Sequence, residues 1–192
     1  QDVQEPQELQ ETPEAEAPQA APEPVLFEEF GLPSPLMKAI EALGFTACTP
    51  IQGETLPHAL SDYDVVGQAQ TGTGKTAAFL ISIIAHQLEF PKDPLLPPGT
   101  PRALIVAPTR ELAMQIADDA EGLCRFSGLR VLSVVGGMDF ERQRRILEER
   151  RVDILVGTPG RLIDFITRGK LNLRHVEQLV LDEADRMLSM GF

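Results

Sequence analysis

The stretch Ala69-Gln-Thr-Gly-Thr-Gly-Lys-Thr76 decides the fold of this 192-residue chain. It follows the short apolar run Asp64-Val-Val-Gly67, which predicts a strand, and it precedes residues 77–88, whose apolar residues predict a helix. Glycines in a strand-to-helix turn let backbone N–H groups converge on phosphate oxygens, and the positive end of the helix dipole adds to the attraction. The stretch therefore predicts a phosphate-binding loop in an α/β domain.

Each residue of the 69–76 loop has an expected contact. We expect the Lys75 ammonium to reach the β- and γ-phosphates of a nucleotide and the Thr76 hydroxyl to coordinate Mg²⁺. The strict pattern G-x-x-x-x-G-K-[ST] places Gly where this chain has Ala69, so the match has one departure. An incidental glycine-rich turn is the alternative, and the flanking strand and helix patterns argue against it. The remaining expected nucleotide contacts in the loop are Gln70, Thr71, Gly72, Thr73 and Gly74.

Apolar runs alternate with amphipathic stretches along the rest of the chain. Residues 103–107, 130–135, 153–156 and 178–181 read as four more strands, and residues 33–43 and 112–123 read as helices. This alternation is typical of βαβ units, so we predict an α/β domain with a mostly parallel central sheet covered by helices on both faces.

The acidic charge of the chain is unevenly distributed. The formal net charge is −12, but residues 1–24 contain seven acidic residues and no Lys or Arg, which leaves −5 for residues 25–192. Residues 1–24 are also rich in Gln, Glu, Pro and Ala, so we predict a disordered acidic tail there, solubilising or partner-binding, ahead of one domain over 25–192. The overall acidity excludes a generic polyanion-binding protein.

Cysteine usage and hydropathy predict a cytoplasmic protein. Cys48 and Cys124 alone cannot form a disulfide framework or a four-ligand zinc site, so both are expected to be free thiols. The longest apolar stretch, residues 77–85, is about half the length that a bilayer-spanning helix needs, so no membrane association is expected.

A second chemical signal is Asp182-Glu-Ala-Asp185, directly after the last predicted strand. Carboxylates at the carboxyl edge of a parallel sheet lie where ligands bind in open α/β folds. We expect Asp182 to bind Mg²⁺, partly through water, and Glu183 to orient or deprotonate the water that attacks the γ-phosphate. Taken alone, these acids could simply stabilise a helix N-terminus.

Four further motifs accompany these two in a fixed order. They are Gly44-Phe-Thr-Ala-Cys-Thr-Pro-Ile-Gln52 with Phe27 placed 17 residues earlier, Pro108-Thr-Arg-Glu-Leu112, Gly136-Gly137 and Thr158-Pro-Gly-Arg161. With them, residues 27–192 resemble the first RecA-like domain of a DEAD-box RNA helicase, a superfamily 2 ATPase. The sequence around the motifs is most similar to bacterial RhlB-type members of that family.

The resemblance implies ATP as the nucleotide and RNA as the polymer. Gln52 would read the adenine edge, for which its amide donor and acceptor are suited, and Phe27 would stack on the adenine, unless it is simply a core residue. Asp185 would couple the ATP site to a second domain. The expected RNA contacts, which need only hold the sugar–phosphate backbone, are Pro108, Thr109, Arg110, Gly136, Gly137, Thr158, Pro159, Gly160 and Arg161.

A basic cluster lies outside these motifs. The arginines at 142, 144, 145, 150 and 151 alternate with glutamates at 141, 148 and 149. Since Glu141 and Arg145 are spaced for an i,i+4 ion pair, we interpret the cluster as a solvated, ion-paired helix face and not as an RNA patch.

The resemblance also implies what the chain works with. The family closes two RecA-like domains over ATP and RNA, and the second domain and the Ser-Ala-Thr motif would follow Phe192, so negligible turnover is expected from these 192 residues alone. The resemblance to RhlB-type helicases implies RNA-degrading machinery as the partner. Two alternatives stay open: another P-loop NTPase, such as a DNA translocase or transport ATPase, and a non-enzymatic docking module.

Overall fold

The computed structural model describes residues 23–191, so the tail predicted over 1–24 lies almost wholly outside the described residues. A short 3-10 helix, Phe27–Phe30, comes first. The α-helices of the described part are α1 Ser34–Ala42, α2 Pro50–Ala59, α3 Lys75–Glu89, α4 Arg110–Cys124, α5 Phe140–Glu149, α6 Pro159–Thr167 and α7 Ala184–Ser189. The strands are β1 Ala103–Val106, β2 Val131–Val134, β3 Ile154–Gly157 and β4 Gln178–Leu181.

The four strands form one all-parallel sheet in the order β2-β3-β1-β4. Ala103 of β1 lies opposite Ile154 of β3 on one side and Gln178 of β4 on the other. Because all strands run in the same direction, the loops that leave their carboxyl ends share one edge of the sheet. The predicted fold class, a parallel α/β domain, is confirmed.

Hydrophobic clusters cover both faces of the sheet. Ala103, Ile105, Ile154 and Val156 pack on one face with apolar side chains of α1 to α4, whereas Leu104 and Leu155 pack on the other face with Leu147 of α5 and Phe165 of α6. The alternation follows from the two-residue period of a strand, which sends neighbouring side chains to opposite faces. Two buried layers of helix thus hold the sheet and its loop edge in place.

The strand predicted before the glycine-rich loop is wrong. Residues 64–67 have no regular secondary structure, and Val66 is fully exposed while Val65 is 40% exposed. Strand propensity reflects packing and pairing with neighbouring strands more than an intrinsic backbone preference. Residues 64–67 include the β-branched Val65 and Val66, but in the described part of the chain they pair with none of the four strands. The edge strand β4 is paired only with β1.

The helix predicted over 33–43 is confirmed, and Gly44 after it adopts the left-handed conformation (φ 77°). Among residues 23–191, no helix is long and apolar enough to cross a membrane. Both cysteines are free thiols, as predicted. Burial raises the pKa of the Cys48 thiol to about 11 and that of Cys124 to about 12.

Candidate active site

The predicted motif residues collect at the carboxyl edge of the sheet. Thr109 and Arg110 follow β1, Gly136 and Gly137 follow β2, Thr158 to Arg161 follow β3, and Asp182 and Glu183 follow β4. The sheet order therefore sets the loop order along this edge: the glycine pair, then 158–161, then 108–110, then the carboxylates. The predicted polymer contacts and the predicted catalytic acids occupy different halves of one edge.

The 69–76 loop forms a turn that ends at the first residue of α3. The Thr73 hydroxyl donates to the Gln70 carbonyl at 2.6 Å, which closes the turn. Gly74 is the N-cap of α3 with φ 91°, a left-handed conformation that a residue with a Cβ rarely adopts. Lys75 and Thr76 are half-buried in the first turn of α3, where the first backbone N–H groups of a helix have no partner within the helix.

Gln52 is buried against this loop. Its Oε1 accepts from the Thr49 N–H at 2.9 Å, and its Nε2 donates to the Gly74 carbonyl at 3.1 Å. The side chain is 4% exposed, and the Thr49 hydroxyl beside it is buried without a partner in the described residues. Each polar atom of the Gln52 amide keeps one further hydrogen-bonding position. The predicted adenine contact thus lies next to the phosphate loop.

The two carboxylates after β4 differ in environment. The Asp182 Oδ1 accepts from the Glu183 N–H at 3.0 Å, and burial raises the pKa of the Asp182 carboxyl above its ordinary value, whereas Lys75 opposes that rise. Glu183 is the N-cap of α7, with a left-handed backbone (φ 50°, ψ 47°), and its Oε2 accepts from Arg186 Nη1 at 3.2 Å. A non-glycine residue in this region stores roughly 1–2 kcal/mol of strain, which is common at functional sites.

The donors at this half of the edge fit a magnesium ion. Lys75 acts electrostatically on Asp182, so the 69–76 loop lies beside the end of β4. Mg²⁺ prefers hydroxyl, carboxylate and water oxygens, and Thr76 and Asp182 offer the first two from half-buried positions. A half-buried carboxylate whose charge is costly gains from a cation nearby.

Phe27 is placed in the core. It is 3% exposed and belongs to the larger hydrophobic cluster, and its ring stacks on Phe45 with centroids 6.4 Å apart. A cavity of about 310 Å³ beside the two rings is also lined by Leu26, Met37 and Ile40. The placement favours the core interpretation, and an adenine could stack on Phe27 only after its ring is uncovered.

Loops after β1 and β2 meet at Arg110. The Thr109 hydroxyl caps α4 by accepting from the Leu112 N–H at 3.3 Å, and Pro108 is buried. Arg110 is about half exposed and pairs loosely with Glu111 at 3.5 Å. A Cβ added to Gly137 would come 3.3 Å from Arg110 Nη1, so the guanidinium lies against the glycine pair. Two of the three predicted polymer-binding motifs are therefore in contact.

Arg161 is engaged within the protein. Its Nη1 donates to Gln143 Oε1 at 2.9 Å and its Nη2 donates to the Met138 carbonyl at 3.1 Å. Thr158 is the N-cap of α6, with the buried Pro159 in the first turn, but the Thr158 hydroxyl makes no capping hydrogen bond. Gly160 is exposed beside them, and Asp185 is exposed in the first turn of α7.

The basic cluster that begins on α5 is ion-paired only in part. Arg144 pairs with Glu141 at 2.7 Å and also with Glu148. The partner of Glu141 is therefore Arg144 at i+3 and not Arg145 at i+4. Arg151 pairs with the buried Asp153 at 2.9 Å. Among the described residues no ion pair joins Arg142, Arg145 or Arg150 to an acidic side chain, so part of the positive charge of the cluster stays unpaired.

Gln143 is the residue of this edge that the sequence analysis missed. It is 6% exposed and bonds the backbone of Val135 and the side chain of Arg161. One signal could have found it: Phe140, Gln143 and Leu147 share the helical spacing of a buried face, so a polar residue occupies a core position of α5.

Gly74 should tolerate a side chain less well than Gly72. Both have positive φ, but an added Cβ meets nothing within 4 Å at Gly72, whereas at Gly74 it would come 2.5 Å from Gln52 Nε2 and 2.8 Å from Thr49 Oγ1. We expect Gly74→Ala to weaken binding of a fluorescent ATP analogue about tenfold more than Gly72→Ala. Equal losses would show that contact with Gln52 does not shape the loop.

Comparison with known proteins identifies the family. The model of the DEAD/DEAH box helicase family matches residues 49–192. Proteins named ATP-dependent RNA helicase RhlB are similar to the chain: that of Pseudomonas putida is 58% identical over 166 residues, covering 86% of this chain and 42% of the relative. The protein of that name from Pectobacterium carotovorum is 50% identical over 166 residues and is covered to 38%. The chain spans less than half the length of these curated relatives, and with its family-model match it belongs to the DEAD/DEAH box helicase family.

Proposed function

We propose that this chain is the first RecA-like domain, over residues 25–192, of an ATP-dependent RNA helicase that separates RNA strands locally. The relatives reported above carry the name ATP-dependent RNA helicase RhlB. The observation that carries the proposal is the division of the sheet edge. One half has a phosphate loop beside two carboxylates, and the other half has three loops rich in backbone N–H, hydroxyl and guanidinium donors.

In the nucleotide half, the proposed roles follow from placement. Backbone N–H groups of Gln70 to Gly74 surround the phosphates, and Lys75 neutralises charge on the β- and γ-phosphates. Gln52 presents its remaining hydrogen-bonding positions to the adenine. Glu183 orients the attacking water and accepts its proton. Asp182 and Thr76 would hold Mg²⁺, which would neutralise phosphate charge. Phe27 adds stacking only where its ring becomes uncovered.

In the RNA half, the proposed contacts read no bases. The hydroxyls of Thr109 and Thr158, the N–H groups at Gly136, Gly137 and Gly160, and the Arg110 guanidinium suit a sugar–phosphate chain. Pro108 and Pro159 are buried and shape their loops. The α5 face, where Arg144 pairs with Glu141 and Glu148, is left out of the proposed RNA path.

Further parts of the proposal come from the family. A second RecA-like domain in the same polypeptide would close over ATP and RNA, with Asp185, which is exposed, coupling the two domains. A cytoplasmic location and association with RNA-degrading machinery are proposed on the same ground.

The test is ATP hydrolysis with RNA or DNA as the stimulating polymer, in the polypeptide that joins this chain to its second domain. We expect single-stranded RNA to raise the ATPase rate at least about tenfold over the polymer-free rate, and DNA to have little effect. A DNA translocase would show the stimulation with DNA. A docking module would not hydrolyse ATP, whichever polymer is added.

Arg110→Met should weaken RNA binding without changing ATP binding. Arg110 is exposed at the RNA half, and it lies against Gly137. Losing one phosphate contact should raise the RNA concentration for half-maximal ATPase about tenfold and lower the salt-dependence slope by about 0.7. Arg174→Met is the matched control, because Arg174 is exposed before β4, at the opposite edge of the sheet. An equal loss in both variants would mean that only net charge matters.

A further inference from the structure

A buried glutamine on α5 anchors the loop that carries Gly136 and Gly137. Gln143 Oε1 accepts from the Val135 N–H at 3.2 Å, and Gln143 Nε2 donates to the Val135 carbonyl at 3.2 Å. Val135 is fully buried and is the residue directly after β2. The side-chain amide thus bonds both backbone groups of Val135, as a neighbouring strand would, and fixes the point where the glycine loop begins.

Arg161 of α6 anchors the other end of the same loop. Its Nη2 donates to the Met138 carbonyl at 3.1 Å, and its Nη1 donates to the same Gln143 Oε1 at 2.9 Å. The guanidinium also lies over the rings of Phe140 and Phe165, 5.5 Å and 5.9 Å from their centroids. Gln143 and Arg161 therefore hold residues 135 and 138 and are bonded to each other.

The segment between these anchors consists of two glycines. Gly136 and Gly137 are exposed, Gly137 has φ 73°, and two successive glycines have more backbone freedom than any other pair. An ordered loop presents its N–H groups to a ligand without a further entropy cost, whereas a loose loop must be ordered on binding. Fixing residues 135 and 138 therefore determines how well the two glycine N–H groups are aimed.

We propose that Gln143 is a positioning residue for RNA binding, which together with Arg161 forms a brace that holds the Gly136-Gly137 loop in its RNA-binding shape. In this role Arg161 acts through Met138 and Gln143, since two of its nitrogens are already bonded within the protein. The inference rests on the proposed RNA-binding function of this edge, and it adds a residue that touches neither RNA nor nucleotide.

Gln143→Met tests the brace in the polypeptide that joins this chain to its second domain. Methionine keeps the length of the side chain but removes all three hydrogen bonds. We expect the RNA concentration for half-maximal ATPase to rise about tenfold, because the loop must be ordered on binding. The ATP concentration for half-maximal rate and kcat at saturating RNA should stay within about twofold, because the 69–76 loop lies in the other half of the edge.

Gln87→Met is the matched control. Gln87 is 2% exposed on α3, and its Nε2 donates to the Asp153 carbonyl at 3.3 Å, so the change removes a buried glutamine amide away from the glycine loop. We expect RNA half-saturation within about twofold of the parent protein. Equal RNA half-saturation in the two variants would overturn the inference. A parent protein whose ATPase ignores RNA would instead overturn the proposed function.

A double-mutant cycle separates a shared brace from two independent RNA contacts. If Gln143 and Arg161 act as one unit, the double variant Gln143→Met/Arg161→Met should bind RNA as weakly as the single variant with the larger loss, within about twofold. If Arg161 grips phosphate on its own, the two losses multiply to about a hundredfold. Multiplication would overturn the shared brace.

Gln143→Glu covers the case in which the methionine variant does not fold. The carboxylate keeps an acceptor for the Val135 N–H and for Arg161. It loses the bond to the Val135 carbonyl and repels that oxygen, and the charged pair with Arg161 offsets part of this cost. We expect RNA half-saturation within about threefold of the parent protein and slow amide exchange over residues 135–139. Fast exchange in this loop with unchanged RNA binding would contradict the role of loop order.

Discussion

Lys75→Ala is expected to lower RNA-stimulated ATP hydrolysis at least about a hundredfold, because no other cation is placed by the sequence pattern at the β- and γ-phosphates. Lys75 is the first residue of α3, and its charge opposes the rise that burial causes in the pKa of the Asp182 carboxyl. Its loss removes the charge that offsets both the phosphates and Asp182. Steady-state ATPase assays and titration with a fluorescent ATP analogue measure the effect.

Lys38→Ala controls for the loss of a lysine, since Lys38 is exposed on α1. It should hydrolyse ATP within about twofold of the parent protein. The thermal unfolding midpoints of both variants should stay close to that of the parent. Full ATPase activity in Lys75→Ala would mean that Lys75 of the 69–76 loop does not supply the positive charge that hydrolysis needs.

Glu183→Gln should lose catalysis and keep substrate binding. The amide has the shape of the carboxylate but cannot accept a proton, so kcat should fall about 100- to 1,000-fold while ATP half-saturation changes less than about threefold. The left-handed backbone of Glu183 costs about the same for either side chain, so the fold is retained. Single-turnover hydrolysis under saturating ATP and RNA measures the chemical step.

Arg186→Met is the matched control for Glu183→Gln. It removes the same ion pair, Glu183 Oε2 to Arg186 Nη1 at 3.2 Å, from the other side and leaves the carboxylate in place. An exposed pair of this kind contributes at most about 1 kcal/mol, so kcat should stay within about fivefold of the parent. If Arg186→Met were as slow as Glu183→Gln, the ion pair and not proton transfer would explain the loss.

Local patterns predicted most of the sheet and the site edge. The four runs at 103–107, 130–135, 153–156 and 178–181 match the four strands of the described residues to within one residue at each end, because each is a short apolar run bounded by turn residues. Parallel strands then bring their following loops together whatever the details of packing. The loops predicted for RNA contacts and the carboxylates Asp182 and Glu183 could be placed on one edge by this reasoning alone.

Features that depend on long-range partners could not be predicted. Residues 64–67 have the composition of a strand, but a strand also needs a neighbour, and none pairs with them in the described part of the chain. The packing of Phe27 on Phe45 and the bond between Gln143 and Val135 join residues 18 and 8 positions apart through tertiary packing. A periodic pattern shows which face is buried but not which buried polar group finds a partner.

Photo-crosslinking tests whether the edge of the sheet is divided into a nucleotide half and an RNA half. A short 4-thiouridine RNA is bound to the two-domain protein with an ATP analogue, irradiated, and the crosslinked peptides of this chain are mapped by mass spectrometry. We expect crosslinks on peptides that contain residues 108–110, 136–138 and 158–161, all lost with excess unlabelled RNA. The division would be contradicted if the crosslinks that unlabelled RNA removes lay mainly on residues 69–76 or on the arginine-rich face of α5.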